Sequence, residues 1–409
     1  MQQLNTAMPE PLSLDTADLL ALGRLATRGV SGVTDVVEDV HSHVAFPCAQ
    51  LRPPASTGFP TGIPSLVYNS IRAVTGLVDS SLAVAAEHAS PSPRGRVSSG
   101  REALVATLNG VFGDYLEQTR NHLAISMAVR PHGKSIAMRR VALKAAFPKP
   151  SERVLLLVHG LCMNDLQWKR ERHDHGAALD RDLGYTPVYL HYNSGLHVSQ
   201  NGRSLADLLE ALLAQWPVPV KELSILGHSM GGLVARSACF YAAEARHGWL
   251  ARLRRLVFLG SPHHGVPLER LGSFADEVLE MSPYSAPFAR LGKIRSSGVT
   301  DMRYGNLVDA DWLGRERFTA SADSRAPLPL PAGVESYAIA AISAKKTQIS
   351  DPDVIGDGLV PLNSALGRHR NSAMDLGLTE SHTRICYGMN HWDLLSRRAV
   401  YETIRRWLD

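Results

Sequence analysis

Cysteine is scarce in this chain. Only four occur in 409 residues, at Cys48, Cys162, Cys239 and Cys386. They lie far apart, with no C-x-x-C pair and no metal-ligand spacing; their even number permits disulfides, but a chain this long does not need them. The expected state is reduced thiols packed as small hydrophobes. An excess of one charge is lacking too: Lys+Arg 43 against Asp+Glu 39 gives a formal +4. No dense basic block interleaved with aromatics is present, so no nucleic-acid partner is expected. No run reaches the ~18 uncharged apolar residues of a membrane span, so no transmembrane segment is expected. The opening residues show no basic start, uninterrupted apolar run or small-residue cleavage site, and cytoplasmic residence is the expectation. No convincing repeat occurs. What is present, 44% hydrophobic and 20% charged residues, suits a globular protein with a substantial core, either one large domain plus an appendage or two domains.

Two regimes divide the chain, giving a helical region 1–120 and an alternating region 121–409. In the first, apolar residues recur at helical spacing: Val33, Val36, Val37, Val40 and Val44; Val67, Ile71, Val74, Val78, Leu82 and Ala85; then Leu104, Leu108, Val111, Phe112 and Tyr115. The joint between the first two groups, 47–64, contains five prolines, which end helices by removing an N–H and constraining the preceding residue. In the second, HLAISMAVR and KSIAMRRVAL read as paired strands around a turn at 131–133. RVLLLVHG is a near-continuous apolar run ending in glycine, as a strand buried on both faces requires. Similar runs fall near 187–192, 223–227, 253–260, 337–342 and 383–388, with helical stretches at 202–215 and 230–246. The fold class is therefore α/β: a mostly parallel sheet flanked by helices, with sites at the carboxyl ends of its strands. The stretch 266–330 is too long for a plain connection and reads as an inserted cap. Its apolar residues Leu271, Phe274, Val278, Leu279, Met281, Phe288 and Leu291 could bury an acyl chain or merely pack the cap itself.

The sharpest chemical signal is Gly227-His228-Ser229-Met230-Gly231, a G-x-S-x-G motif between a strand and a helix. A tight strand-to-helix turn lifts the Ser229 hydroxyl above the sheet edge, and its neighbours must be small; Gly227, Gly231 and Gly232 meet that demand. A serine nucleophile needs a base and an orienting carboxylate, which on such a sheet follow in the order Ser, acid, His. Among 17 histidines, His391 lies just past the last predicted strand, where the base belongs. His228 suits packing under the turn, and His382 precedes the strand. Asp357, in Gly-Asp-Gly after the 337–342 strand, is the acid, ahead of Asp351 and Asp353. For an oxyanion hole the Met230 amide is one donor. The second is the Leu161 amide, with that of Cys162 as the near alternative, both in the loop after RVLLLVHG.

Taken together, VHGLCMNDLQW, GHSMGG, FLGSPHHG, GDGLVP and NHWDLL resemble a lipase or esterase of the α/β-hydrolase superfamily, similar to bacterial triacylglycerol lipases and to lipases that deacylate GPI inositol. The resemblance spans roughly 121–409. It implies a Ser229, Asp357, His391 triad, Leu161 and Met230 as oxyanion donors, hydrolysis of carboxylic esters through an acyl-enzyme, and no cofactor. The expected partner is a small-molecule or lipid-like ester, with peripheral membrane contact left open. An acyltransferase or amidase would use the same triad, and a non-catalytic scaffold on the fold is the bland alternative. The resemblance would place a calcium-binding aspartate at Asp393, but without a second ligand no metal is expected. Outside the triad, His263 and His264 read as lining or support for the site. The HDHG stretch at 173–176 reads as a polar helix or loop, and His197 and Asn201 as either capping or substrate contacts.

Overall fold

The computed structural model describes residues 14–27, 98–267, 296–314, 325–344 and 356–409. Seven strands form one sheet: β1 (Ala128–Val129), β2 (Arg153–Val158), β3 (Thr186–His191), β4 (Glu222–His228), β5 (Leu253–Leu259), β6 (Glu335–Ile342) and β7 (Thr383–Tyr387). Their order across the sheet is β1-β3-β2-β4-β5-β6-β7, parallel throughout except for β1, which runs antiparallel to β3 at one edge. The six longer strands coincide with the apolar runs in the sequence.

The period of two along these strands separates two cores. In β2, Val154, Leu156 and Val158 face one cluster, while Leu155 and Leu157 face the other. The first face is covered by helices α2 (Ser99–Gln118), α5 (Val198–Gln215) and α6 (Met230–Ala245); the second is covered by α4 (His175–Leu183) and α8 (Arg398–Leu408). Local chemistry bounds these helices. The Asp174 side chain accepts from the Ala177 amide at the start of α4, and Gly184 ends it in the left-handed conformation. Helices α5 and α6 approach closely because Gly202 lacks a side chain: a Cβ there would lie 2.1 Å from Ser237 Oγ.

Helix α1 (residues 16–27) and α2 carry the N-terminal region onto this frame. Ala21 and Leu25 of α1, and Leu104, Leu108, Phe112 and Leu116 of α2, belong to the same core as one sheet face. A bidentate pair from Arg101 to the buried Asp18 joins the two helices.

One expectation is corrected. The proposed hairpin around 131–133 does not form: only Ala128–Val129 is a strand, and it pairs with His191 and Leu190 of β3. Of its intended partner, residues 134–139 form neither strand nor helix and 140–143 open helix α3 (Arg140–Ala146). An open sheet edge on β3 offers more hydrogen bonds than a lone hairpin, and Val-Ala-Leu-Lys-Ala-Ala is a good helix former. The two earlier helical patterns, at 33–44 and 67–85, lie outside the described residues, as do Asp351, Asp353, Cys48 and the apolar cap set from Leu271 to Leu291. Within the expected cap, α7 (Ser297–Tyr304) is described.

Candidate active site

The turn from β4 into α6 places Ser229 at φ +54° and ψ −125°. A non-glycine residue avoids this region, at a cost on the order of 1–3 kcal/mol. The turn persists because its surroundings hold it. The Ser229 amide donates to Leu259 O at the end of β5 at 2.8 Å. No side chain fits around it: a Cβ at Gly231 would stand 2.1 Å from Val158 O, and one at Gly227 would stand 2.7 Å from Gly232 Cα. The glycines that flank the serine are therefore demanded by backbone contact.

Asp357 and His391 come from loops after β6 and β7, and tertiary structure joins them. His391 Nδ1 lies 2.6 Å from Asp357 Oδ2, and both side chains are almost fully buried. Asp357 Oδ1 accepts from the amides of Leu359 and Val360 at 3.0 and 2.8 Å, which aims the other oxygen at the imidazole. The His391 amide in turn donates to Asp357 O at 3.0 Å. Gly260, at φ +58°, leaves room for the pair, since a Cβ there would be 3.1 Å from both Asp357 Oδ2 and His391 Cε1. A carboxylate can only accept, so Nδ1 carries a proton, and in the neutral imidazole the lone pair is on Nε2. Nε2 is buried without a hydrogen-bond partner. Nor does the Ser229 hydroxyl have one among the described residues.

A parallel sheet in this order, with a serine on a strained turn after its β4 strand and an Asp–His pair beyond later strands, is decisive for fold. The chain carries an α/β-hydrolase fold. Residues 149–326 match the family model described as PGAP1-like alpha/beta domain. Similar solved structures of this hydrolase fold include the mature Bacillus licheniformis lipase BlEst2, at 16% identity and TM-score 0.43, covering 64% of this chain and 93% of that one. A thermophilic esterase from Thermogutta terrifontis aligns at 13% identity and TM-score 0.36, covering 63% and 90% of the two chains. Aspergillus fumigatus lipase B aligns at 11% identity and TM-score 0.37, covering 93% and 83%. Among curated proteins, none matches the sequence.

In this fold the loop after β2 contains His159-Gly160-Leu161-Cys162. Gly160 lies against the nucleophile turn, where a Cβ would be 3.0 Å from Ser229 Cβ. The Cys162 amide is already engaged, donating to Ser194 Oγ at 3.0 Å. The Leu161 and Met230 amides donate to no group among the described residues. His159 supports the loop, with Nδ1 2.9 Å from Gly160 O and its ring stacked on Tyr192 at 4.3 Å. Burial pushes its pKa down to about 3, so it is neutral. Burial also raises the Cys162 thiol to about 12, which makes it no nucleophile.

The other candidate residues have structural partners. His228 does more than pack: its Nε2 donates to His391 O at 3.3 Å. His263 accepts on Nδ1 from the buried Arg236 guanidinium at 3.3 Å, while the His264 ring sits 4.7 Å from that of His369. His173 and His175 form a chain ending on Leu394 O, in the turn that carries His391. His197 bonds to Asp301 and stacks on Trp312 at 3.6 Å, and Asn201 donates to Asn193 O. His382 packs on Tyr337, at the opposite end of β7 from His391. Asp393 Oδ2 accepts from the Asn390 amide at 2.9 Å and Oδ1 pairs with Arg397 at 2.8 Å, so the carboxylate ties the two ends of its own turn. Ser194 was not singled out in the sequence, because a serine in a turn carries no signal of what its hydroxyl will meet.

Among the described residues, Cys162, Cys239 and Cys386 are free thiols, all buried. No described helix is long and apolar enough to cross a membrane.

Proposed function

We propose that this protein is a serine hydrolase that cleaves carboxylic esters, with Ser229 as nucleophile, His391 as general base and acid, and Asp357 as the residue that orients the imidazole. One observation carries the reading: a buried imidazole is bonded at 2.6 Å through Nδ1 to a buried carboxylate, which in the neutral ring puts the lone pair on Nε2. In this reaction His391 Nε2 takes the hydroxyl proton as Ser229 attacks the ester carbonyl. The resulting oxyanion is held by the Met230 and Leu161 amides. Engagement of the Cys162 amide by Ser194 favours Leu161 over its neighbour as the second donor. His391 then gives the proton to the leaving alcohol, the acyl group remains on Ser229, and water repeats the sequence to release the acid. Residues 121–409 would form the catalytic unit with its cap at 266–330, and residues 1–120 a helical extension of it. The substrate class is a small or lipid-like ester, and no cofactor takes part.

A fluorophosphonate probe and a series of p-nitrophenyl esters test this reading. The native protein should be labelled at Ser229 and hydrolyse at least one ester, and Ser229→Ala should do neither while remaining folded. A folded Ser229→Ala variant that retains full turnover would refute it.

A further inference from the structure

Helix α2 belongs to the region that the family model leaves unmatched, yet it touches the loop on which the proposed oxyanion donor sits. At Gly110 a Cβ would stand 2.2 Å from Cys162 Sγ and 2.8 Å from Cys162 Cα and N. At Gly113 it would stand 1.9 Å from Asn193 Oδ1 and 2.9 Å from Gly195 Cα. Glycines three apart thus bring the helix backbone into direct contact with the 159–162 loop and the 193–195 turn. Between them the helix breaks its own geometry, with Phe112 at φ −126° and ψ +16°. The contacts are polar as well as close. Asn193 Nδ2 donates to Gly113 O at 2.9 Å, and Ser296 Oγ, at the start of α7, donates to Gly110 O at 2.6 Å. Ser194, on the same turn as Asn193 and Gly195, accepts from the Cys162 amide.

Cys162 is therefore held from two sides, by the helix against its α-carbon and sulfur and by Ser194 on its amide. It sits at φ +59°, which an L-residue leaves when its restraints are removed. Residue 162 adjoins Leu161, so a shift of this clamp moves the amide that the catalytic reading assigns to the oxyanion. The bland reading, that α2 only covers apolar core, accounts for Leu104, Leu108 and Leu116 but not for two glycines and a broken turn at the loop contacts.

We propose that Gly110 and Gly113 of the N-terminal helix α2 are positioning residues that clamp the 159–162 loop, which makes this helix an integral part of the oxyanion site. The inference rests on the serine-hydrolase reading above for its kinetic consequence, but not for the clamp itself.

Gly110→Ala tests it through two readouts: ester turnover, and backbone hydrogen exchange across residues 155–168. We expect kcat to fall roughly 10- to 100-fold, the scale of a misplaced oxyanion donor, with KM changed by less than about three-fold. Exchange at 159–163 should accelerate while that of β5 is unchanged. Leu104→Ala, on the same helix, controls for loosened packing and should lower the melting temperature with kcat unchanged. If Leu104→Ala lowers kcat as far as Gly110→Ala at equal loss of melting temperature, the proposal is overturned. Unchanged exchange at 159–163 in Gly110→Ala also overturns it. Accelerated exchange in a native protein that hydrolyses no ester would keep the clamp and remove the catalytic reading. Should Gly110→Ala fail to fold, Asn193→Ala, which cuts the hydrogen bond to Gly113 O on the helix, takes its place, and the same two readouts decide.

Discussion

His228 Nε2 donates to the carbonyl oxygen of His391 at 3.3 Å, with the two rings 4.7 Å apart. Since a carbonyl only accepts, His228 carries a proton on Nε2. Burial and the nearby His391 both hold its pKa well below the ordinary histidine value. The residue beside the nucleophile thus fixes the backbone of the proposed base, while Asp357 fixes both its amide and its ring. Replacing His228 with alanine removes one hydrogen bond to that buried carbonyl, at a cost of about 0.5–1.5 kcal/mol. Urea unfolding should show that loss, and kcat should fall more than KM changes. A variant with native stability and native kcat would remove the positioning role.

Asp357→Asn conserves shape but cannot hold the Nδ1-protonated tautomer and the imidazolium in the same way. The expected loss of kcat is on the order of 10⁴, with the melting temperature nearly unchanged. Steady-state hydrolysis of an activated ester, read beside circular dichroism, checks it; a loss under ten-fold would mean that the pair serves architecture alone.

Stability should fall on mild acidification. Burial lowers the pKa of His159 to about 3 and of His175 to about 4, and it holds His228 and His263 well below the ordinary value. These groups stay neutral in the folded protein while their unfolded counterparts take up protons below about pH 6.5. The unfolded state then binds more protons, so unfolding free energy is fully retained above pH 6.5. For His175 it declines as pH drops toward 4, by on the order of 1 kcal/mol per pH unit. His175→Gln, which keeps a donor for Leu394 O, should flatten this slope in urea titrations between pH 7 and 5. An unaltered slope would contradict the assignment.

Calcium should have no effect. Both oxygens of Asp393 are committed, one to the Asn390 amide and the other to Arg397. Chelation by EDTA, or millimolar calcium, is expected to leave both the melting temperature and ester turnover unchanged. A calcium-dependent rise in melting temperature that Asp393→Asn abolishes would show the ion displacing Arg397.

The tight turn itself gives a stability prediction. Gly231→Ala puts a methyl 2.1 Å from Val158 O, a backbone atom of the interior strand β2 that cannot move aside. Overpacking of this kind costs about 1–3 kcal/mol and often more, so soluble yield and melting temperature should both drop. Gly184→Ala, where nothing lies within 4 Å, should lose less, through its left-handed φ alone.

Much of the fold was legible because its signals are local. Apolar runs such as Arg153–Val158 fold as strands wherever a sheet buries both faces, and Gly227-His228-Ser229-Met230-Gly231 requires its turn by sterics that involve adjacent residues. The 134–143 segment departs from its sequence pattern for the opposite reason. Its apolar alternation fits a strand, but partnership with the β3 edge, which favoured β1 alone, is a long-range choice that no window reveals.

Ser229 on its turn, the strand order of chemistry and the positions of Asp357 and His391 after β6 and β7 follow from chain order and residue type alone. Only the tertiary structure decided that Asp357 Oδ2 meets His391 Nδ1, that Ser194 occupies the Cys162 amide and that Gly110 rests on Cys162. Each of these contacts joins segments tens of residues or more apart, at distances set by packing to fractions of an ångström. Residue identity limits which atoms can bond, but the geometry of the assembled core selects which ones do.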